Sequence, residues 1–247
     1  MSSLRYIRVV ALLLLTLAIT SCRSNRIPSR GAANSYETRR SAVMSLLSES
    51  EDRMSDVRTY EVKNAKAKVD FNGNKVSLKA NVKFTRGEQI TVTGRMQFPP
   101  INVGKVVVDK GKASITSKVA GIDKDVKIPD YLGEALQCAL LGIVPPLYEM
   151  YGKKDFSKFD IEITEDGCYE LSRDTKKGSV VMKVNAQDYT LVSLKAVMYG
   201  TVAEMKVTEY KTFDGRSLPT EIEVVAREGS KKPASMTINI SDPKINK

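Results

Sequence analysis

A period of two governs this chain. In Lys75-Val-Ser-Leu-Lys-Ala-Asn-Val-Lys-Phe84, apolar Val76, Leu78, Ala80, Val82 and Phe84 alternate strictly with Lys75, Ser77, Lys79, Asn81 and Lys83. Successive side chains of a strand point to opposite faces, so the segment reads as a strand with one apolar and one wet face. Ala65, Ala67, Val69 and Phe71 alternate likewise before Asn72-Gly73-Asn74, and Ile90, Val92, Gly94, Met96 and Phe98 do so after Arg86-Gly87-Glu88. Short polar turns between such segments define antiparallel hairpins. The meander continues through Val103–Asp109, Lys110-Gly111 and Ala113–Val119. It resumes at Phe159–Thr164, turns at Asp166-Gly167, and runs through Cys168–Ser172, Ser179–Asn185, Thr190–Tyr199, Val202–Thr212, Leu218–Arg227 and Ala234–Ile240.

Two segments carry a different period. From Ser35, a candidate N-cap, to Val57, the residues Val43, Leu46, Leu47, Met54 and Val57 recur at spacings near three and four, which predicts an amphipathic helix. Pro129-Asp130 opens a second, short helix over Tyr131–Leu141, stopped by Gly142 and Pro145-Pro146. The expected inventory is thus roughly eleven strands and two helices. So many one-sided strands must curl or stack to hide their apolar faces. The fold class expected is mainly β with a few helices (α+β). Its form would be an antiparallel curved sheet, an unclosed β-barrel covered by helices, with a complete barrel or a two-layer sandwich as compatible alternatives.

The N-terminus reads as an export signal. Arg5 and Arg8 make a basic start, and Val9 to Ile19 form an apolar run shorter than the ~20 residues of a membrane-spanning helix. Leu17-Ala-Ile-Thr-Ser-Cys22 then matches the lipobox of bacterial lipoproteins, whose cysteine is acylated and becomes the first residue after cleavage. The expected organisation is a signal peptide over 1–21, a tether over 22–36 in which proline and glycine interrupt small polar residues, and one domain over 37–247. Acyl chains on Cys22, at ~0.8 kcal/mol per buried methylene, would hold the protein at a membrane surface. No acidic residue follows in Arg23-Ser24-Asn25-Arg26, so the expected location is the outer membrane, facing the periplasm.

Composition narrows the chemistry. The chain has no His, so Ser-His-Asp and Cys-His arrangements are excluded and the commonest neutral metal ligand is missing. Nucleophile-elbow and P-loop patterns are absent as well. Asp123/Asp125 and Glu165/Asp166 are the nearest paired carboxylates, and both pairs are placed in turns. Trp is absent and Phe numbers 6, which argues against aromatic platforms for bases or sugars and against a nucleic-acid partner. A non-enzyme is expected, without metal or cofactor beyond the acyl lipid on Cys22. Lys and Arg outnumber Asp and Glu by 39 to 29. Clusters at Lys153-Lys154, Arg173–Lys177 and Lys231-Lys232 suit either solvated turns or an anionic partner.

Cys138 and Cys168 could form a disulfide in an oxidising compartment, worth ~3–4 kcal/mol for a loop of about 30 residues. Alternatively Cys138, set among Leu136, Ala139, Leu140 and Leu141, is a small buried hydrophobe. The inner strand faces carry Phe84, Val92, Met96, Phe98, Met182, Leu194, Met198, Met205 and Val207, with Leu140 on the second helix. Thioethers adapt to irregular apolar shapes such as acyl chains, so these residues are the candidate lining of a lipid cavity; the alternative is a filled core.

The order of elements resembles that of the LolA/LolB-like lipoprotein-carrier superfamily: an N-terminal helix, a long antiparallel meander, a helical interruption and a final run of hairpins. Tyr210-Lys-Thr-Phe-Asp214-Gly215-Arg-Ser-Leu218-Pro219 resembles its turn at Asp-Gly with re-entry through Leu-Pro. Asp130-Tyr-Leu-Gly-Glu-Ala-Leu-Gln137-Cys-Ala-Leu-Leu-Gly142 is similar to the Leu-Gln-x-Leu-Leu-x-Gly segment of an uncharacterised outer-membrane lipoprotein family with a predicted LolB-like fold. The resemblance implies an unclosed barrel under a helical lid, an interior able to hold acyl chains, and membrane lipid or an acylated lipoprotein as partner. In LolB a loop projects an apolar residue that helps place cargo; the corresponding stretch here, Phe98–Gly104, is apolar but lacks a projecting Leu. A structural or assembly lipoprotein with a filled core and a protein partner is the alternative reading.

Overall fold

The computed structural model describes residues 36–71, 73–96, 101–117, 121–128, 130, 132–145, 159–175, 178–198, 201–229 and 232–246. The expected signal, Cys22 and most of the tether lie outside the described residues, as do Phe98, Lys153, Lys154, Lys176, Lys177 and Lys231. Helix α1 (Tyr36–Asp52) precedes β1 (Thr59–Phe71), β2 (Asn74–Thr85), β3 (Ile90–Met96), β4 (Asn102–Asp109), β5 (Lys112–Ser117) and β6 (Ile122–Lys127). Helix α2 (Leu132–Leu141) separates these from β7 (Asp160–Ile163), β8 (Cys168–Thr175), β9 (Gly178–Asn185) and β10 (Leu191–Met198). The chain then completes β11 (Thr201–Phe213), β12 (Arg216–Glu228), β13 (Ala234–Asn239) and β14 (Pro243–Ile245).

Among the described residues, 14 strands form one antiparallel sheet in the order β6-β5-β4-β3-β2-β1-β13-β12-β11-β10-β9-β8-β7, with β14 continuing beside β1 where β13 ends. β6 and β7 are its two ends and do not pair, so the barrel is open. Local hairpins build each half of the sheet. At the tightest of them, Asp214 and Gly215 take φ of +48° and +78° between the paired Phe213 and Arg216, a two-residue turn whose twist matches that of the strands.

The sheet curls around α2. That helix packs against both β4 and β12. These strands stand five steps apart in the sheet, about 24 Å if flat at ~4.8 Å per step. A helix of this length spans only about 15 Å and is ~10 Å across. Both strands reach it because the sheet bends, as the sequence led us to expect. Gly104, paired with Gly94 across β4 and β3, sits where backbones crowd: a Cβ on it would stand 2.6 Å from the Thr116 carbonyl oxygen.

Several details depart from the sequence reading. β1 starts at Thr59, earlier than the alternation indicated, because a bulge sets two residues, Lys63 and Asn64, against one on β2 and throws the period out of phase. Asn64 adopts φ of +60° there, and its N–H donates to Asn81 Oδ1 at 2.8 Å. β6 and β14 were not anticipated. Asp123 and Asp125 therefore lie on a strand and not in a turn, with Asp125 accepting from Ser114 at 2.7 Å and from Lys112 at 3.1 Å. Glu165 and Asp166 do occupy a turn. The first helix ends at Asp52, and Met54 and Val57 enter the core from the turns that follow.

Candidate functional site

Strand register turns the alternation into rows across the concave face. One row runs Val76, Val69, Met236, Val224, Met205, Leu194, Met182, Leu171 and Ile161, crossing the sheet from β2 to β7. Burial changes along it. Met182 is 1% exposed and Leu171 0%, whereas Val76, Val224 and Met236 are half-buried. The sealed part belongs to the main core, into which the helices insert Val43, Leu46, Leu132, Cys138 and Leu141. Val69 is the centre of a separate cluster, against which Leu78, Val224 and Met236 pack.

A second row is built of small residues. Ala234, Ala226, Ala203 and Ala196 stand side by side on β13, β12, β11 and β10, and lead on to Val180 and Arg173. Each alanine offers only a methyl group, so this strip is shallower than the Met/Leu row beside it. At its end the Arg173 guanidinium, 2% exposed, lies 5.6 Å from the Phe159 ring centroid, a cation–π distance. The concave face thus has two halves: one filled by helices, and a trough over β1, β2, β12 and β13 whose apolar lining is only partly covered.

The helices that fill the first half are bolted down. Gln137, on α2, donates from Nε2 to the Glu88 carbonyl at 2.6 Å, and its Oε1 accepts from the Gly87 N–H at 3.0 Å. Arg53, just beyond α1, donates to the carbonyls of Gly142 at 3.2 Å and Ser217 at 3.3 Å. The Val144 N–H donates to Ser50 Oγ at 2.8 Å in the interior. Arg86 adds hydrogen bonds to the Met54 carbonyl and the Glu51 carboxylate. At the C-terminal end of α2, the Leu191 N–H donates to the Gly142 carbonyl at 2.9 Å.

Of the residues expected to line a cavity, Phe84, Met182, Leu194, Met205 and Val207 are enclosed in the main core, and Val92 and Leu140 pack against it half-buried. Met96 is half-buried on the inner face of β3, opposite Leu78. Met198 is on β10, but its side chain, like Phe98, is outside the described residues. Sequence reading passed over Leu78, Val224 and Met236 as site residues. The alternation put them on the inner face, but only the position of the helices distinguishes the covered half from the open one.

Cys138 and Cys168 are both free thiols, so the disulfide considered from sequence is not formed. Burial raises the pKa of each; Cys138 lies near Glu134, Glu51 and Arg86, and Cys168 near Asp166 and Lys183. Tyr60 stacks on Phe84 with ring centroids 5.0 Å apart, and its buried hydroxyl has no hydrogen-bond partner among the described residues. Among those residues, no group of three or more His, Cys, Asp or Glu is placed to hold a metal ion, and no helix is long and apolar enough to cross a membrane.

This architecture, an open antiparallel half-barrel wrapped around helices, is a LolA/LolB-like fold. A DUF1329 family protein from Desulfovibrio piger superposes with a TM-score of 0.56 at 12% identity, over 83% of this chain and 92% of that one. A putative outer membrane lipoprotein-sorting protein domain from Vibrio parahaemolyticus gives 0.53 at 9% identity, over 81% and 92%. A LolA superfamily protein from Nitrosomonas europaea gives 0.52 at 12% identity, over 83% and 93%. At these identities the likeness establishes the fold. No protein-family model matches the chain, and no curated protein matches it in sequence.

Proposed function

We propose that this protein is a non-enzymatic envelope lipoprotein, anchored through Cys22, that binds acyl chains of a lipid or an acylated protein in the open half of its concave face and takes part in their transport at the outer membrane. The observation that carries this reading is the cluster of half-buried Leu78, Val224 and Met236 around buried Val69, set beside the alanine strip on the same face. Covering apolar surface contributes about 25 cal/mol per Å2, so even a shallow trough with this lining can hold an acyl chain. The lipobox sequence and the likeness in fold to a lipoprotein-sorting domain support the same reading. Because α2 is tied at Gln137 and Gly142, entry is assigned to the partly covered β1–β13 end and not to a swinging helix. The test is to isolate the chain from Arg23 onward under mild conditions, extract it with organic solvent and titrate it with a fluorescent acyl probe. Co-purified lipid and saturable uptake are expected; neither lipid nor uptake would refute the proposal.

A second reading, an assembly lipoprotein that holds a protein partner, draws on the other half of the same face. There the helices and strands form a continuous filled core with no need of cargo. Capture of the anchored protein from detergent-solubilised envelope separates the two, since a stoichiometric protein partner without lipid supports the second.

A further inference from the structure

The outer face of β1–β3 carries a row of like charges. Register sets Lys66 opposite Lys79, and Lys79 opposite Arg95. Directly opposed side chains on neighbouring strands stand ~5 Å apart, and like charges so placed destabilise the sheet. Lys68 flanks the row, Lys75 beyond it stands opposite Asp70, and β13 borders it with neutral Ser235, Thr237 and Asn239. Several lysines elsewhere on the sheet are matched: Lys183 with Asp166 and Glu170, Lys206 with Glu204, Lys211 with Glu209. Among the described residues Lys66, Lys68 and Lys79 have no carboxylate partner, and Arg95 donates only to the neutral Asn64 Oδ1, at 2.6 Å.

We propose that this row is a docking surface for anionic phospholipid headgroups. A row of cations with no carboxylate partner among the described residues, Lys66, Lys79 and Arg95, gives this wall a positive outer face that attracts an anionic bilayer surface, and it lies on the back of the wall whose inner side carries Ala67, Leu78 and Met96. The expected tether over 23–35 would keep the domain within reach of the bilayer. That proximity rests on the anchored-lipoprotein reading; the row itself does not. Attraction between surface cations and an anionic leaflet acts over about a Debye length and weakens as salt is added.

The test is co-sedimentation of the chain from Arg23 onward, which keeps every described residue, with vesicles of phosphatidylethanolamine alone or mixed with phosphatidylglycerol. Binding is expected only to the mixed vesicles and is lost at high salt. The Lys66→Gln/Lys79→Gln/Arg95→Gln variant should bind at least tenfold more weakly without a fall in melting temperature. Lys79→Glu, which turns both repulsive contacts into attractive ones, should bind weakly and melt higher. Lys183→Gln/Lys206→Gln/Lys211→Gln removes the same net charge and should bind nearly as well as the parent. No binding to mixed vesicles, equal loss in both triple variants, or capture by polyglutamate without vesicle binding would each overturn the proposal. Vesicle binding with no acyl-probe uptake would support the docking surface while refuting the acyl-binding trough.

Discussion

Gly142 lies against the Tyr210 ring so closely that a Cβ there would stand 2.7 Å from the phenol oxygen. The same Cβ would meet Pro219 Cγ at 3.1 Å, and the residue has φ of +68°. Gly142→Ala therefore combines a left-handed alanine with crowding at the end of α2. The Tyr210 hydroxyl, which donates to the Leu191 carbonyl at 2.6 Å, cannot retreat without losing that bond. A loss of about 2–4 kcal/mol is expected in urea denaturation. A change below about 0.5 kcal/mol, the range of an ordinary surface substitution, would show that this helix end relaxes freely.

Tyr60→Phe is expected to act the other way. It keeps the ring that stacks on Phe84 and removes a buried hydroxyl without a described partner. Burying such a group costs about 1–3 kcal/mol, part of which the substitution recovers, so the melting temperature should hold or rise. A clear fall would reveal a hydrogen bond made by that hydroxyl.

Two methionines in one row should separate core from trough. Met205→Gln places an amide in a sealed site, 5% exposed, and should cost about 2–4 kcal/mol, with acyl-probe affinity changed only through stability. Met236→Gln lies in the half-buried cluster and should cost less than about 1 kcal/mol while weakening acyl binding. Calorimetry and probe titration on the pair decide this. Equal destabilisation by both would mean that the trough is closed core.

Thiol reactivity follows from burial. Cys138 and Cys168 are buried and free, and burial holds both thiols in the unreactive protonated form. Native protein should react slowly with a thiol reagent, and denaturant alone, without reductant, should release two labelled positions. Labelling that needs a reductant would restore the bridge.

Residues differ in how openly they announced their places. Val76 through Phe84 declared a strand and its faces because nothing interrupts their alternation, and the turn at Asp214-Gly215 was expected from the family resemblance of Tyr210–Pro219. The start of β1 was hidden by the Asn64 bulge, a decision taken by Asn81 and Arg95 on neighbouring strands. β6 was hidden because its outward residues, Asp123, Asp125 and Lys127, are those that turns also favour. For the site, periodicity gave the inner face but not its division. Met205 and Met236 carry the same side chain on the same face, yet Met205 is sealed in the main core that also takes in helix residues, whereas Met236 lies half-buried in the separate cluster around Val69. That is a property of tertiary packing, with no local signature.

β1 pairs with β2 on one side and with β13 and β14 on the other, so the first strand made is completed by the last. In a chain that emerges from its N-terminus, the β1–β6 meander can assemble early, but β1 then presents a long bare edge until Ala234–Ile245 arrives. Pairing over such a sequence distance is slow, and an unpaired edge invites the strands of other chains. C-terminal truncation just before β13 would leave that edge permanently open, and such a chain should accumulate as aggregate or be degraded even though most of its hairpins remain intact.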